Sequence, residues 1–285
     1  MDVKFSIFEL ADDLPPIKII DIGAMKLQGD PKSHIFDNLK AHGAQFVGFE
    51  PVAAECAKLN EHASPSEINL PYAIGDGNTH TFYETNASMT SSLYEPNTAL
   101  LEKFQELANY VETVRTYPIQ THRLDDIPET MGGDYIKIDV QGAELDVLRG
   151  AIARLKDAWV VEAEVEFLPL YKNQPLFSDI DIFMREHGFI LHRFSGTMGR
   201  TFKPILITSN PGATLSQLLW SNAIYIRDFM TLETLPPAAL LKAAVILHEI
   251  YYSFDLVSLI LLTYDKLTDA DLGSRYVKRL TQNSA

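Results

Sequence analysis

Acidic residues stand at the ends of several predicted strands in this chain. The clearest case is the run from Asp134 to Gly150, where an apolar strand, a turn at Gly142 and a helix follow one another. Asp139 falls at the carboxyl end of that strand and Glu144 in the first turn of the helix. Ligands of open α/β sheets bind at the carboxyl ends of the strands, so Asp139 is a candidate for binding a ligand or moving a proton. Glu144 could contact a ligand as well, but capping its helix against the amides of the turn is the favoured role.

A glycine follows the first predicted strand, which covers residues 17–22 and carries Asp21 near its end. Gly23 has no side chain, so its backbone and that of Ala24 can lie close to a ligand. The helix predicted after this turn would offer free N–H groups to a negatively charged ligand group. An ordinary strand-to-helix turn accounts for the same residues, and this motif is weak when taken alone.

The second and third predicted strands, residues 45–50 and 68–74, also lead into acids. Glu50 could accept hydrogen bonds from both hydroxyls of a ribose, as acids do at this place in dinucleotide-binding folds. Alternatively, it stabilises the start of the helix that follows Pro51. Asp76 would suit the amino group of an adenine, although ordinary turn chemistry explains it nearly as well.

The same sheet could bind a nicotinamide dinucleotide, but the phosphate-binding glycines are not in place. That fingerprint needs three glycines spaced G-x-G-x-x-G. Here Gly23 and Gly29 are separated by five residues that include no glycine. The sequence therefore disfavours a dinucleotide enzyme.

Further carboxylates lie on a later predicted strand. Alternation places Glu162, Glu164 and Glu166 on one face of it, where a central parallel strand is normally apolar. That face either opens onto an active-site cleft or is exposed. Asp139 is the leading candidate for a general base and Glu164 the second. Lys137 is expected to pair with a neighbouring acid such as Glu164, or to form a purely structural ion pair. These acids could also hold Mg²⁺, although their spacing does not require it.

The elements that must position these residues alternate between strand and helix, which predicts a doubly wound, mostly parallel α/β sheet. Short late strands joined by a loop indicate an antiparallel pair at one edge. Beyond the strands already named, we predict strands at 79–83, 111–124, 159–167, 189–194 and 222–227, and helices at 100–108 and 180–187.

The composition changes at Pro236-Pro237, after which two or three helices are predicted. We divide the chain into a sheet domain, residues 1–230, and a C-terminal helical extension, residues 231–285. The extension is expected to cover the sheet and complete its core. The apolar stretch at 249–262 leaves a second interpretation open, in which these helices form a homodimer interface.

Composition limits the partners and the setting. The net charge of −14 disfavours nucleic acid and anionic membrane surfaces as partners. Cys56 is the only cysteine, which excludes an intramolecular disulfide and a thiolate metal cluster. No apolar stretch is long enough to span a bilayer, and no signal peptide is recognisable. A cytoplasmic location is the expectation.

Several runs of the sequence, in their order and spacing, resemble the FkbM-type methyltransferases, which use S-adenosylmethionine (SAM). Besides the run from Asp134 to Gly150, they are Phe49–Pro51, Tyr72–Asp76, Ser91–Pro96, Arg123–Ile127 and Glu164–Tyr171. The resemblance covers roughly residues 17–230. It implies a class I methyltransferase (Rossmann-like) fold, with a mostly parallel seven-stranded sheet and an antiparallel edge strand. It also implies methyl transfer to a hydroxyl of a sugar, glycan or small-molecule natural product.

The resemblance also implies roles for single residues. The cofactor-binding set is Asp21, Gly23, Ala24, Glu50, Pro51 and Asp76, and the catalytic set is Asp139, Glu164 and Lys137. Asp21 would hold its loop and face the cationic methionine end of SAM. In the family, the Gly-Ala pair is usually followed by Asn and soon by another Gly, whereas here residues 25–28 precede Gly29. This difference favours the alternative, a catalytically silent binding or assembly module.

Overall fold

The computed structural model describes residues 5–11, 13–23 and 33–282 of the chain. Ala24, a predicted cofactor-binding residue, and the loop at 25–29, which departs from the family pattern, lie outside the described residues. Within the described part, no helix is both long and apolar enough to cross a membrane.

A seven-stranded sheet forms the centre of the fold, in the order β3-β2-β1-β7-β8-β10-β9. Its strands are β1 (Lys18–Ile22), β2 (Gln45–Phe49), β3 (Glu67–Leu70), β7 (Tyr135–Ile138), β8 (Val160–Glu166), β9 (Phe189–Gly199) and β10 (Leu218–Arg227). The five strands from β3 to β8 are parallel, while β10 is antiparallel to both β8 and β9. The expected antiparallel pair at one edge is therefore confirmed, with β10 inside it and β9 outermost.

The register of the central strands brings their carboxyl ends together. Ile22 at the end of β1 lies opposite Phe49 of β2 and Ile138 of β7. The ladder continues for one residue, since the Gly23 N–H donates to the Phe49 carbonyl at 3.1 Å and the Asp139 N–H to the Ile22 carbonyl at 3.0 Å. The apolar residues of β1 and β7 are buried on both faces, as a parallel sheet under two helical layers requires. This packing fixes Gly23, Glu50 and Asp139 at one edge.

Helices pack on both faces of the sheet. They are α1 (Ser33–Ala41), α2 (Ala53–Glu61), α3 (Thr98–Leu101), α4 (Glu144–Arg149), α5 (Ile152–Leu155), α6 (Phe177–Glu186), α7 (Pro237–Glu249), α8 (Phe254–Thr268) and α9 (Leu272–Gln282). On one face, α4, α5 and α6 pack against the sheet in one apolar cluster. On the other, α1 and the three C-terminal helices share a second cluster with β1, β7 and β10. The expectation that the extension covers the sheet and completes its core is confirmed.

The N-terminal segment is tied to the extension. The carboxylate of Glu249, at the end of α7, accepts hydrogen bonds from the Ser6 hydroxyl at 2.7 Å and the Ile7 N–H at 2.8 Å. Arg279 of α9 pairs with Glu9 at 3.3 Å. Sequence-distant ends of the described chain therefore meet on one face of the sheet.

A second, three-stranded sheet lies beside the first, in the order β4-β6-β5. It consists of β4 (Ala73–Ile74), β5 (Thr79–Thr85) and β6 (Thr113–His122). The prediction of one continuous strand over 68–74 was wrong, because the chain leaves the large sheet after Leu70 and enters the small one at Ala73. Pro71 stands at the break, where it has no N–H to donate to a ladder.

The predicted helix over 100–108 was only partly right. The chain forms α3 and then a separate 3-10 turn over Leu107–Tyr110. Between them Glu106 adopts a left-handed backbone conformation, with φ 60°. A helix cannot continue through that conformation, which carries a steric cost for a residue with a Cβ.

Candidate active site

A cavity of about 1090 Å³ lies at the carboxyl ends of the central strands. Residues of β1, β2, β7 and β8 form its floor, and β5 with the loop at 88–93 forms one wall. Trp220 and Asn222 of β10 line it as well, and the Arg200 guanidinium lies over the Trp220 ring at 5.2 Å. Its size is that of sites for small ligands and cofactors.

The carboxyl end of β1 lies very close to the carboxyl end of β7. Gly23 has φ 86°, a conformation that side chains rarely adopt, and it lines the cavity. A Cβ atom at this position would collide with the backbone carbonyl of Asp139. Glycine is therefore required here both by the turn and by the close approach of the two strand ends.

Glu50 lies where the second strand ends and is buried, with 4% of its surface exposed. Its Oε1 accepts a hydrogen bond at 2.8 Å from the N–H of Val52, the residue directly before α2. One of its contacts is therefore the predicted one at the start of that helix. Its Oε2 has no hydrogen bond among the described residues, and the side chain lines the cavity beside Pro51. Burial raises the pKa of the Glu50 carboxyl. Such a carboxylate has unused capacity for a hydrogen-bond donor.

Asp76 lies apart from this group. Its carboxylate accepts hydrogen bonds from the Asn78 N–H at 2.9 Å and contacts His80 Nε2 at 2.8 Å, and it is not among the described residues that line the cavity. Burial opposes its ionisation, but the hydrogen bonds from His80 and Asn78 outweigh that effect and hold its pKa well below the usual range. These contacts are those of ordinary turn chemistry, and the adenine contact stays a prediction.

Lys137 pairs with a neighbouring acid, as predicted, but this acid is Asp21 and not the Glu164 named as an example. The two residues face each other in register on β7 and β1, and the Lys137 Nζ lies 3.1 Å from Asp21 Oδ1. Burial favours the neutral amine, but the negative charges of Asp21, Asp139 and Glu162 together raise the pKa of Lys137. Lys137 therefore stays a cation on the cavity floor. The sequence could not choose among these acids, because the choice depends on strand register.

Asp139 and Glu164 are bridged by a residue that the sequence analysis missed. The Gln141 amide Nε2 donates to Asp139 Oδ1 at 2.8 Å and to Glu164 Oε2 at 2.7 Å. Gln141 has φ 56°, and its Oε1 accepts a hydrogen bond from the Tyr171 hydroxyl at 3.2 Å. One signal was available, since Gln141 is the polar residue between the strand end and the turn glycine at Gly142.

The glutamates of β8 lie in the cleft, which decides between the two interpretations of that face. Glu162, Glu164 and Glu166 all line the cavity, and Glu162 and Glu166 are each only 1% exposed. Burial raises the pKa of Glu164 and of Glu166 well above the ordinary value, and the negative charge of Asp139 adds to the effect in both. Both carboxyl groups therefore hold a proton more tightly than an ordinary glutamate does.

Glu144 caps its own turn, as one of its two predicted roles required. Its Oε1 accepts hydrogen bonds from the Val140 N–H at 2.9 Å and the Gly142 N–H at 3.2 Å. Complete burial nevertheless raises the pKa of Glu144 to about 7, because these hydrogen bonds only partly offset the lost hydration and Asp139 is close.

The loop over the cavity is held by its own hydroxyls. The Ser92 Oγ donates to the Gln141 carbonyl at 2.6 Å, and the Tyr94 hydroxyl donates to Asp146 Oδ2 at 2.7 Å. Ser92 is 1% exposed. These hydrogen bonds fix the wall against the turn that carries Gln141.

The described residues contain no group of three or more His, Cys, Asp or Glu side chains arranged to hold a metal ion. Asp139 and Glu164 are instead occupied by the Gln141 amide.

The strand order, with the antiparallel strand β10 between β8 and β9 and a cavity over the strand ends, is that of the class I methyltransferases. A family model described as "Methyltransferase FkbM domain" matches residues 21–191, more than half of the chain. The chain belongs to this family, and the resemblance stated from the sequence is confirmed.

Two solved structures show distant similarity. Magnesium protoporphyrin IX methyltransferase (ChlM) from Synechocystis PCC 6803, with bound SAM, has 13% identity and a TM-score of 0.35, covering 78% of this chain and 76% of that one. The 23S rRNA methyltransferase ErmE has 11% identity and a TM-score of 0.31, covering 90% and 80%. No curated protein matches the chain.

Proposed function

We propose that this protein transfers a methyl group from SAM to a hydroxyl group of a sugar, a glycan or another small-molecule acceptor. Membership of a methyltransferase family supports the reaction type. The finer statement, SAM as donor and a hydroxyl as acceptor, is supported by the chemistry of the cavity.

The observation that carries the proposal is Glu50. It is a buried carboxylate beside a glycine turn, and its Oε2 is free of hydrogen bonds among the described residues. A carboxylate in this position can accept both hydroxyls of a ribose, which would offset the free energy lost on burying it. Gly23 leaves open backbone next to it, and Asp21 with Lys137 fixes the end of β1. These residues would hold the nucleoside and the amino acid end of SAM.

The other end of the cavity suits a neutral, hydrogen-bonding acceptor. Glu164 and Glu166 line this end of the cavity, where their carboxyl groups can form hydrogen bonds with a polar acceptor. Asp139 lies between them and the donor end, and Gln141 holds its Oδ1 in a fixed direction. SAM, when bound, supplies a methyl group already activated by its positively charged sulfur. In the proposed role, Asp139 accepts the proton of the acceptor hydroxyl through its second oxygen.

Calorimetric titration with S-adenosylhomocysteine, the demethylated product of SAM, tests the donor site. Wild-type protein should bind it, and Glu50→Gln should weaken binding about 10- to 100-fold, since a charge-assisted pair of hydrogen bonds is lost. Glu61→Gln is the matched control, because Glu61 is an exposed residue at the far end of α2 and makes the same charge change. Equal affinity of wild type and Glu50→Gln would refute the ribose assignment.

The same titration separates the enzyme from the silent module. Absence of binding at high ligand concentration would support the module. Binding, followed by a screen of hydroxylated metabolites with a labelled methyl donor, would identify the acceptor.

A further inference from the structure

A tyrosine of the C-terminal extension is hydrogen-bonded to a glutamate that lines the cavity. Tyr251 lies between α7 and α8 and is 2% exposed. Its hydroxyl donates to Glu162 Oε2 at 2.5 Å and lies 2.8 Å from the Tyr135 hydroxyl, which also donates to Glu162 Oε2 at 2.9 Å. The two rings meet edge to face, with their centroids 6.0 Å apart. Two buried hydroxyls therefore hold one oxygen of one buried carboxylate.

Glu162 is the next neighbour of the cation on the cavity floor. In the sheet register it lies opposite Lys137 of β7 on one side and Ile224 of β10 on the other. Its negative charge is one of three, with those of Asp21 and Asp139, that act on Lys137. The Lys137 Nζ is bonded to Asp21, at the end of the strand that carries the Gly23 turn.

We propose that Tyr251 is a positioning residue for the donor site, so that the helical extension is a working part of the active site. In this proposal, Tyr251 and Tyr135 fix the orientation of the Glu162 carboxylate through its Oε2, and Lys137 stays with Asp21. If the Tyr251 hydroxyl is removed, Glu162 can turn toward Lys137 and compete with Asp21 for it. The pair that fixes the end of β1 is then weakened. The inference rests on the proposed donor site, and it assigns a role to a residue 60 positions beyond the family match, which ends at residue 191.

The test compares two buried tyrosines of the extension. Tyr251→Phe removes the hydroxyl that contacts Glu162. Tyr276→Phe removes a hydroxyl of α9 that contacts His248 of α7 at 2.8 Å. Neither of these two residues lines the cavity. Both variants should lose some thermal stability. Only Tyr251→Phe should weaken binding of S-adenosylhomocysteine, by about fivefold to twentyfold. This is at or below the lower end of the effect of a direct charge-assisted hydrogen bond, because Tyr251 acts through Glu162 and Lys137. Equal affinities in the two variants would overturn the proposal.

A double-mutant cycle isolates the contact. In a Glu162→Gln background, Tyr251→Phe should change donor affinity by much less than it does in the wild type, because the group that Tyr251 positions has lost its charge. An unchanged effect would show that Tyr251 acts by another route, and would overturn the proposal.

One readout does not depend on ligand binding. With isotope-labelled lysine, the NMR signal of the Lys137 ammonium, assigned through Lys137→Arg, should shift in Tyr251→Phe and stay in place in Tyr276→Phe. If wild-type protein fails to bind the donor product, the proposed function fails, yet this shift still tests the link from Tyr251 to Lys137. An unmoved Lys137 signal overturns that link.

Discussion

Asp139 has both the position and the fixed orientation that a general base needs. It lies at the end of β7, its backbone carbonyl faces Gly23, and its Oδ1 is fixed by Gln141 at 2.8 Å. Glu164, the second candidate, has its pKa raised by burial and by the charge of Asp139, so it gives up its proton less readily than an ordinary glutamate. A general base must start without that proton. The geometry therefore favours Asp139 as the general base.

Asp139→Asn should slow methyl transfer about 100- to 10,000-fold, the usual contribution of a general base. Affinity for S-adenosylhomocysteine should change little, since the amide preserves shape. Turnover is measured with a labelled methyl donor on an acceptor from the screen. Asp126→Asn, at an exposed carboxylate, is the control. A variant that keeps wild-type turnover would show that Asp139 is not the base.

The raised pKa of Glu144 should make the folded protein less stable as the pH rises. Its pKa is about 7 in the folded protein against an ordinary value of 4.5, so the folded state binds the proton more tightly than the unfolded state. Its contribution is complete below pH 4.5 and is lost as the pH rises through about 7. The loss is at most about 3 kcal/mol, at 1.36 kcal/mol per pH unit.

Urea denaturation of wild type and Glu144→Gln from about pH 5 to about pH 8 measures this contribution. The free energy of unfolding should fall less steeply with pH in the variant. Glu61→Gln should keep the wild-type slope, because that carboxylate is exposed. Parallel curves for wild type and Glu144→Gln would contradict the assignment.

The sequence predicted those residues whose position follows from a strand end alone. Asp21, Gly23, Glu50 and Asp139 all lie at the expected edge because parallel strands end on the same side of a sheet. Ion-pair and hydrogen-bond partners that depend on strand register or on a side-chain torsion could not be predicted from the sequence. The pairing of Lys137 with Asp21 belongs to this second kind.

The turn after β1 needs Gly23 for two reasons: its backbone conformation, with φ 86°, and the close approach of the Asp139 carbonyl. Gly132 has a similar conformation, with φ 69°, but a Cβ there would meet no atom within 4 Å. Gly132→Ala should therefore destabilise the fold by about 1 kcal/mol, the effect of backbone conformation alone. Gly23→Ala should cost about 3 kcal/mol or more, because it also forces β1 away from β7. Urea denaturation measures both, and equal losses would show that the strand ends tolerate separation.

The predicted boundaries of strands and helices are accurate where the apolar periodicity is strong. They are wrong where a single residue interrupts the strand or helix. The strands β1, β2, β7 and β8 lie within a residue or two of their predicted ranges. The break at Pro71 and the left-handed Glu106 depend on where the chain must turn in three dimensions. Those local conformations are set by packing against the second sheet and cannot be derived from propensity.

At the scale of the whole molecule, the extension and the sheet share one apolar core. A fragment ending at residue 230 would expose the face of the sheet that α7, α8 and α9 cover. We expect this fragment to be insoluble or to bind a hydrophobic dye strongly, in contrast to the full chain. A soluble, cooperatively unfolding fragment would show instead that residues 1–230 form an independent domain, as the predicted boundary implies.

The homodimer stays a prediction. The side chains of Leu259 and Leu262 on α8 are 46% and 44% exposed, so an apolar strip remains on the outside of the extension. Sedimentation velocity of wild type and Leu262→Lys tests it: a dimer that dissociates in the variant supports the interface, whereas a wild-type monomer excludes it. The absence of nucleic acid partners, expected from the net charge of −14, also stays a prediction.

The bonds from Ser6 and Ile7 to Glu249 constrain how the protein is made. During translation the first residues leave the ribosome long before the helices that receive them exist. Until residues 237–282 emerge, three of the four helices that share this apolar cluster with the sheet are missing. Newly made chains should therefore depend on chaperones that shield apolar surfaces until α7, α8 and α9 have emerged and packed.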